Sequence, residues 1–333
     1  MAIEEKALRM PKKIKPGDTL GVVAPSMPVK PEEKEKLTAY LQDAGYRVKL
    51  GKTVKELSNF HGYMAGDPKE RAEDVNQMFA DPEVDGIICA RGGYGSSQVM
   101  EYLDLDMIRQ HPKLFLGYSD ITNFHSVFSR YCGFVTFHGP MLISNMIKNF
   151  DDYSKDSLKR ALAMEDRYVF RNPEGDPMHI LTAGRATGVV TGGNISLIAH
   201  SIGTFYQPVT EGKILFLEDV EESIAHLDMM ITQLEQAGVM KGIRGILLGN
   251  FQGCSNERYD DSYQIDQFLR DRFAGYDVPV LANVCSGHAK PMGTIPMGTV
   301  CTMDTDSDEL VFTCYGHVQV SGKQNVEKGP VRA

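Results

Sequence analysis

The feature that most constrains this chain is an alternation, across its first half, of short apolar runs with longer amphipathic stretches. Residues 19–24, 86–90, 114–118 and 135–138 are brief apolar runs that read as buried strands, while 31–44, 68–79, 96–102 and 121–131 carry helix-compatible spacing. A repeated strand, helix, strand order predicts an α/β fold built on a parallel sheet, because parallel neighbours need a crossover and helices supply it. Asp67 followed by Pro68 marks one helix start, a capping acid with proline in the first turn.

At 333 residues the chain exceeds the usual size of a single core, so two domains with a cleft between them are expected. From residue 149 to 176 the sequence turns charged and includes Asn172-Pro173-Glu174-Gly175-Asp176-Pro177, a dense run of turn formers. The expected division is an N-terminal α/β domain over 1–150, a linker over 151–180 and a C-terminal mixed α/β domain over 181–333. In the second half, strands are expected at 187–191, 213–217, 245–248, 278–281, 298–303 and 310–315, with helices near 194–202, 223–236 and 263–273.

Charge narrows the partners. The 44 acidic residues outnumber 35 basic ones, and a net charge of −9 opposes binding to nucleic acid or to an anionic membrane surface. Six cysteines at 89, 132, 254, 285, 301 and 314 include no pair at zinc-knuckle or redox-dithiol spacing, which fits reduced thiols and a cytoplasmic protein. Residues 1–13 lack the apolar core of a secretory signal, and no apolar stretch reaches the roughly 20 residues a membrane span needs.

Several motifs sit where chemistry is possible. The run 114–118 stops at Ser119-Asp120 and a helix-compatible segment follows at once, so Ser119 lies at a strand-to-helix turn. A serine there projects its hydroxyl above the strand ends, near amides able to face an oxyanion. Gly117-Tyr118-Ser119-Asp120-Ile121 lacks the second glycine of the hydrolase elbow, and a serine at such a turn also serves as a helix cap. Arg91-Gly92-Gly93-Tyr94-Gly95 follows another strand; it suits an oxyanion donor, an anion cradle or a plain tight turn, and fits no nucleotide fingerprint. Later, Phe216-Leu217-Glu218-Asp219 ends a strand in carboxylates and Ser286-Gly287-His288 puts a histidine in a loop. Serine, histidine and acid are what nucleophilic acyl transfer needs, although an acidic turn that caps a helix has the same composition. A metal site is not expected, because neither His-x-x-x-His nor Cys-x-x-Cys occurs.

These segments, together with Asp18-Thr19-Leu20-Gly21-Val22-Val23-Ala24-Pro25-Ser26, His138-Gly139-Pro140-Met141, Gly192-Gly193-Asn194-Ile195-Ser196-Leu197 and Ile295-Pro296-Met297-Gly298, make the chain similar to the LD-carboxypeptidase family, which includes the microcin-immunity peptidases. The resemblance runs from about residue 17 to 314, and the joint order of the motifs carries it. It implies a flavodoxin-like or amidotransferase-like N-terminal domain, a mixed C-terminal domain and a site assembled across their interface. On this basis Ser119 corresponds to the nucleophile, His288 to the general base and Glu218 to the acid that orients it. The amides of Gly93 and Asp120 correspond to the oxyanion hole. A homodimer is implied, and no metal or organic cofactor is needed.

The expected reaction is release of terminal D-alanine from a cytosolic murein tetrapeptide, the substrate being a small peptide that contains a D-amino acid. One rival is cleavage of a peptidyl- or aminoacyl-nucleotide by the same residues. The microcin-immunity branch is associated with an aromatic contact, typically tryptophan, and this chain has none. The other rival is a two-domain protein that binds an anionic ligand without chemistry.

Overall fold

Continuously buried apolar strands lie at the centre of the first half, as a sheet covered on both faces demands. The computed structural model describes residues 8–256 and 262–314, together with the backbone of 3–4 and 319–320. Residue 315, most of the 1–7 segment and the 321–333 tail, all included in the expectations above, lie outside the described residues. The first strands are β1 (Ile3–Glu4), β2 (Thr19–Val23), β3 (Arg47–Leu50), β4 (Gly86–Cys89), β5 (Leu114–Gly117) and β6 (Thr136–His138). The others are β7 (Arg167–Phe170), β8 (His179–Thr182), β9 (Arg185–Asn194), β10 (Ile214–Val220), β11 (Gly245–Gln252), β12 (Val280–Ala282), β13 (Ile295–Met297), β14 (Val300–Asp304), β15 (Leu310–Thr313) and β16 (Gln319–Val320). β1 and β16 pair antiparallel with each other.

The first sheet has the order β13-β6-β5-β4-β2-β3, and every pair except β13·β6 is parallel. Numbered from β2 in chain order, its five parallel strands run 2-1-3-4-5, the flavodoxin-like order, with a switch point between β2 and β4 where ligands bind at strand C-termini. β3 escapes the sequence reading because it is an edge strand, Arg-Val-Lys-Leu, whose polar residues blunt the edge instead of forming an apolar run. The expected cap at Asp67 is present: its carboxylate accepts from the amides of Lys69 and Glu70 at the start of Pro68–Ala80. The helix expected over 121–131 is a sequence of three turns, Ser119–Ile121, Thr122–Val127 and Phe128–Cys132, of 3-10, α and π type.

The second sheet runs β7-β15-β14-β9-β10-β11-β12-β8, parallel from β9 to β12 and antiparallel outside that core. Residues 151–180, expected as a linker, are instead structural: they hold the helix Asp152–Leu162 and β7, and lead into β8. β7 and β8 form the two opposite edges of the second sheet, and the turn run 172–177 connects them. A dense turn signal therefore marked a connection within a sheet. β13, far along the chain, returns to extend the first sheet beside β6. The largest apolar core is correspondingly continuous across both halves, joining Leu116 and Phe137 to Phe216, Leu247 and Phe312. The helix Thr122–Val127 is buried at every position. Among the described residues, no helix is long and apolar enough to cross a membrane.

Candidate active site

β5 delivers its last residue, Gly117, to the C-terminal edge of the first sheet; Tyr118 remains extended and Ser119 then adopts φ +64°. A left-handed conformation at a residue other than glycine costs about 1–2 kcal/mol and turns the chain sharply enough to lift the hydroxyl clear of the following helix. The Ile121 amide donates to the Tyr118 carbonyl and holds the turn. Ser119 is the first residue of the 3-10 turn, with Tyr118 in the cap position. Its Oγ lies 3.0 Å from His288 Nε2, and His288 Nδ1 lies 2.7 Å from Glu218 Oε2. The three residues come from the turn after β5, from β10 and from the loop after β12, so they meet only because the two halves of the chain pack on a shared core.

Glu218 lies near the C-terminal end of β10, in register with Asn194 of β9, and is wholly buried. The histidine reaches it through Gly287, whose φ is +129° and where a Cβ would stand 2.9 Å from Glu218 Oε2. Only glycine lets the backbone approach the acid so closely. The loop is tied by Ser286 Oγ donating to the Gly293 carbonyl and by the Asn250 amide donating to Ser286. Tyr118 packs edge-on against the His288 ring at 4.9 Å, fixing the imidazole plane.

Neighbouring groups divide the acidic residues into distinct roles. Asp219, next to Glu218, accepts from Asn194 Nδ2, from the Val220 amide, and from both the amide and hydroxyl of Ser196. Its carboxylate thus anchors the start of helix Ile195–Ser201, not that of Ile224–Gln236, the helix an acidic turn here was expected to cap, where Ser223 accepts from the His226 amide instead. The Asn194 amide in turn donates to Thr122 Oγ1, docking the end of β9 against the helix that follows Ser119.

The glycine loop lies against the serine. A Cβ built on Gly92 would be 3.0 Å from Ser119 Cβ, and Gly93 has φ +119°. Asp120 is buried, and its side chain bonds to Ser26 and Ser96. Its carboxylate went unremarked in the sequence, where only its amide drew notice. Arg71, Tyr118 and Asn194 were likewise not expected to frame the site, and only the motifs around the last two gave any signal. Among the described residues no group of three or more His, Cys, Asp or Glu side chains is arranged to hold a metal.

Electrostatically, burial pushes the Glu218 carboxyl above its usual range, opposed by the His288 charge and hydrogen bond. Burial by itself would lower the His288 pKa, but Glu218, Asp219 and Glu221 overcome it and the net direction is upward. If His288 is the base, as expected, it must be neutral to accept a proton, so activity should rise with pH through a midpoint above the ordinary histidine value of about 6.5. A kcat/KM profile measures this midpoint, and in Glu218→Gln it should move to lower pH because burial then acts unopposed by that charge. A wild-type midpoint below the ordinary value would contradict the assigned environment.

The chain matches the LD-carboxypeptidase N-terminal domain over residues 20–139 and the LD-carboxypeptidase C-terminal domain over 187–303. It is 37% identical over 303 residues to a probable murein peptide carboxypeptidase of Bacillus subtilis, covering 91% of this chain and 93% of that protein. Its structure resembles the microcin C7 self-immunity protein MccF in complex with aspartyl sulfamoyl adenosine, with TM-score 0.81, 25% identity, and coverage of 92% and 98%. It also resembles muramoyltetrapeptide carboxypeptidase from Oxalobacter formigenes, with TM-score 0.78, 25% identity, and coverage of 88% and 97%.

Proposed function

Because the chain belongs to the LD-carboxypeptidase family, we propose that it is a serine peptidase that releases terminal D-alanine from a murein tetrapeptide. The observation that carries this reading is the unbroken hydrogen-bonded line from Ser119 through His288 to Glu218, at 3.0 and 2.7 Å. In the proposed reaction His288 Nε2 takes the Ser119 proton as Oγ attacks the carbonyl that precedes D-alanine. Glu218 holds the imidazole by Nδ1 and stabilises its charged form. The oxyanion is received by the amides of Gly93 and Asp120. His288 then protonates the leaving amine, D-alanine departs, and a water activated by the same nitrogen hydrolyses the acyl-enzyme. Water is the only cosubstrate.

The proposal includes action in the cytoplasm and a homodimeric state. Six free and buried cysteines support a reducing compartment, and light scattering of the purified protein tests the dimer. Mass spectrometry of products from a muropeptide panel tests the reaction. The expected products are a tripeptide plus D-alanine, with an all-L peptide turned over at least roughly 100-fold more slowly, since misplacing the carbonyl by about 1 Å costs that much. Efficient hydrolysis of an aminoacyl sulfamoyl nucleoside with the tetrapeptide left intact would replace this reading with the nucleotide one, which the likeness to MccF favours.

A further inference from the structure

Within the helix Pro68–Ala80 the Arg71 side chain is fully buried, 0% exposed. Burying a guanidinium costs several kcal/mol unless its donors are satisfied. Among the described residues no carboxylate lies within ion-pairing distance of it. Its donors go instead to main-chain and neutral acceptors: Nε to Gly66 O at 3.0 Å, Nη1 to Pro25 O at 2.6 Å and Gly95 O at 2.8 Å, and Nη2 to Gln98 Oε1 at 2.9 Å. Pro25 follows β2 and Gly95 closes the glycine loop after β4, so Arg71 ties the two loops that flank the switch point. A Cβ on Gly95 would fall 2.6 Å from Nη1, so the guanidinium occupies the space a side chain there would need.

The buried Asp120 carboxylate ties the same two loops one residue further along each. Oδ2 accepts from Ser26 Oγ at 2.6 Å and from the Ser96 amide at 2.8 Å, and Oδ1 accepts from Ser96 Oγ at 2.9 Å. Asn123 Nδ2 donates to the same Ser96 hydroxyl at 2.9 Å. Between Ala90, bonded by its amide to Val23 and by its carbonyl to Ile143, and the anchored Gly95, residues 91–94 make no backbone hydrogen bond among the described residues. The position of Gly92 and Gly93 against Ser119 therefore rests on the anchors at the two ends of that span, helped within it by the ion pair of Arg91 with Glu33 at 3.5 Å.

We propose that Arg71, acting with the Asp120 carboxylate, is a positioning residue that holds the Gly92-Gly93 amides in register with the Ser119 hydroxyl, stabilising the transition state without binding substrate. This rests on the reading of Ser119 as the nucleophile. Lysine keeps the charge but lacks the planar fork that reaches Pro25, Gly95 and Gln98 together. Arg71→Lys should therefore lower kcat by about 10², the scale of losing an oxyanion donor, while KM for the tetrapeptide stays within about threefold. Ser26→Ala, which removes one bond of the Asp120 tie and little volume, should lower kcat about tenfold.

Labelling with a fluorophosphonate makes the test independent of substrate, because the P=O oxygen of the probe needs the same amides. The first-order inactivation constant should fall by the same factors while the probe's binding constant holds, with melting curves recorded alongside. If wild-type Ser119 is not labelled, the nucleophile reading fails and the clamp falls with it. If wild type is labelled and both folded variants are labelled as fast, the clamp alone is overturned, as it also is if the loss in kcat/KM lies in KM. Should Arg71→Lys not fold, Ser26→Ala decides.

Discussion

Replacing Ser119 by alanine will leave the protein folded and remove almost all turnover, a loss of about 10⁶-fold if serine, histidine and acid act as a unit. The hydroxyl bonds to His288 Nε2 alone among the described side chains, so its removal deletes the proposed nucleophile and one hydrogen bond. The left-handed turn at φ +64° is as accessible to alanine as to serine within a few tenths of a kcal/mol, and the melting temperature should move by no more than a few degrees. Steady-state rates and a thermal melt on the same preparation check both halves. Turnover near the wild-type rate would remove Ser119 from the chemistry altogether.

The second large effect separates two adjacent carboxylates. Glu218→Gln should slow turnover by about 10⁴-fold, because an amide donates where the carboxylate accepted and favours the tautomer with its proton on Nε2, which can no longer receive the serine proton. Asp219→Asn should slow it far less. Asp219 accepts three hydrogen bonds at the start of helix Ile195–Ser201, a fourth from the Val220 amide and none from His288, so its loss should appear as about 1–3 kcal/mol of stability. Comparing kcat and melting temperature for the pair gives opposite rankings under this assignment. The reverse result would transfer the orienting role to Asp219.

Much of the first sheet was readable because β2, β4, β5 and β6 are buried on both faces and so appear as uninterrupted apolar runs. The edge strands β3, β7 and β8 escaped for the complementary reason: half-exposed strands mix polar and apolar residues, and β7 and β8 also stand in or beside a stretch that reads as loop. β13 escaped because three residues with a central proline give no strand signal; its pairing with β6 is a tertiary event.

The same division holds in the site. Local chemistry nominated a serine at a strand-to-helix turn, a glycine loop, a pair of acids and a loop histidine, but each had an equally good structural reading. Resemblance to a family ranked them. The sequence alone determined the parallel α/β class of the first half, the helix start at Asp67 and the set of groups from which a site could be made, since these depend on burial periodicity and on bonds between residues close in the chain. Only the tertiary structure decided that Ser119 turns through φ +64° instead of capping, that Glu218 faces His288 while Asp219 caps a helix, and that a buried arginine ties the glycine loop. Hydrogen bonds between residues 169 and 70 positions apart join Ser119 to His288 and His288 to Glu218. No periodicity encodes a distance between side chains that far apart; the packing of the two sheets creates it.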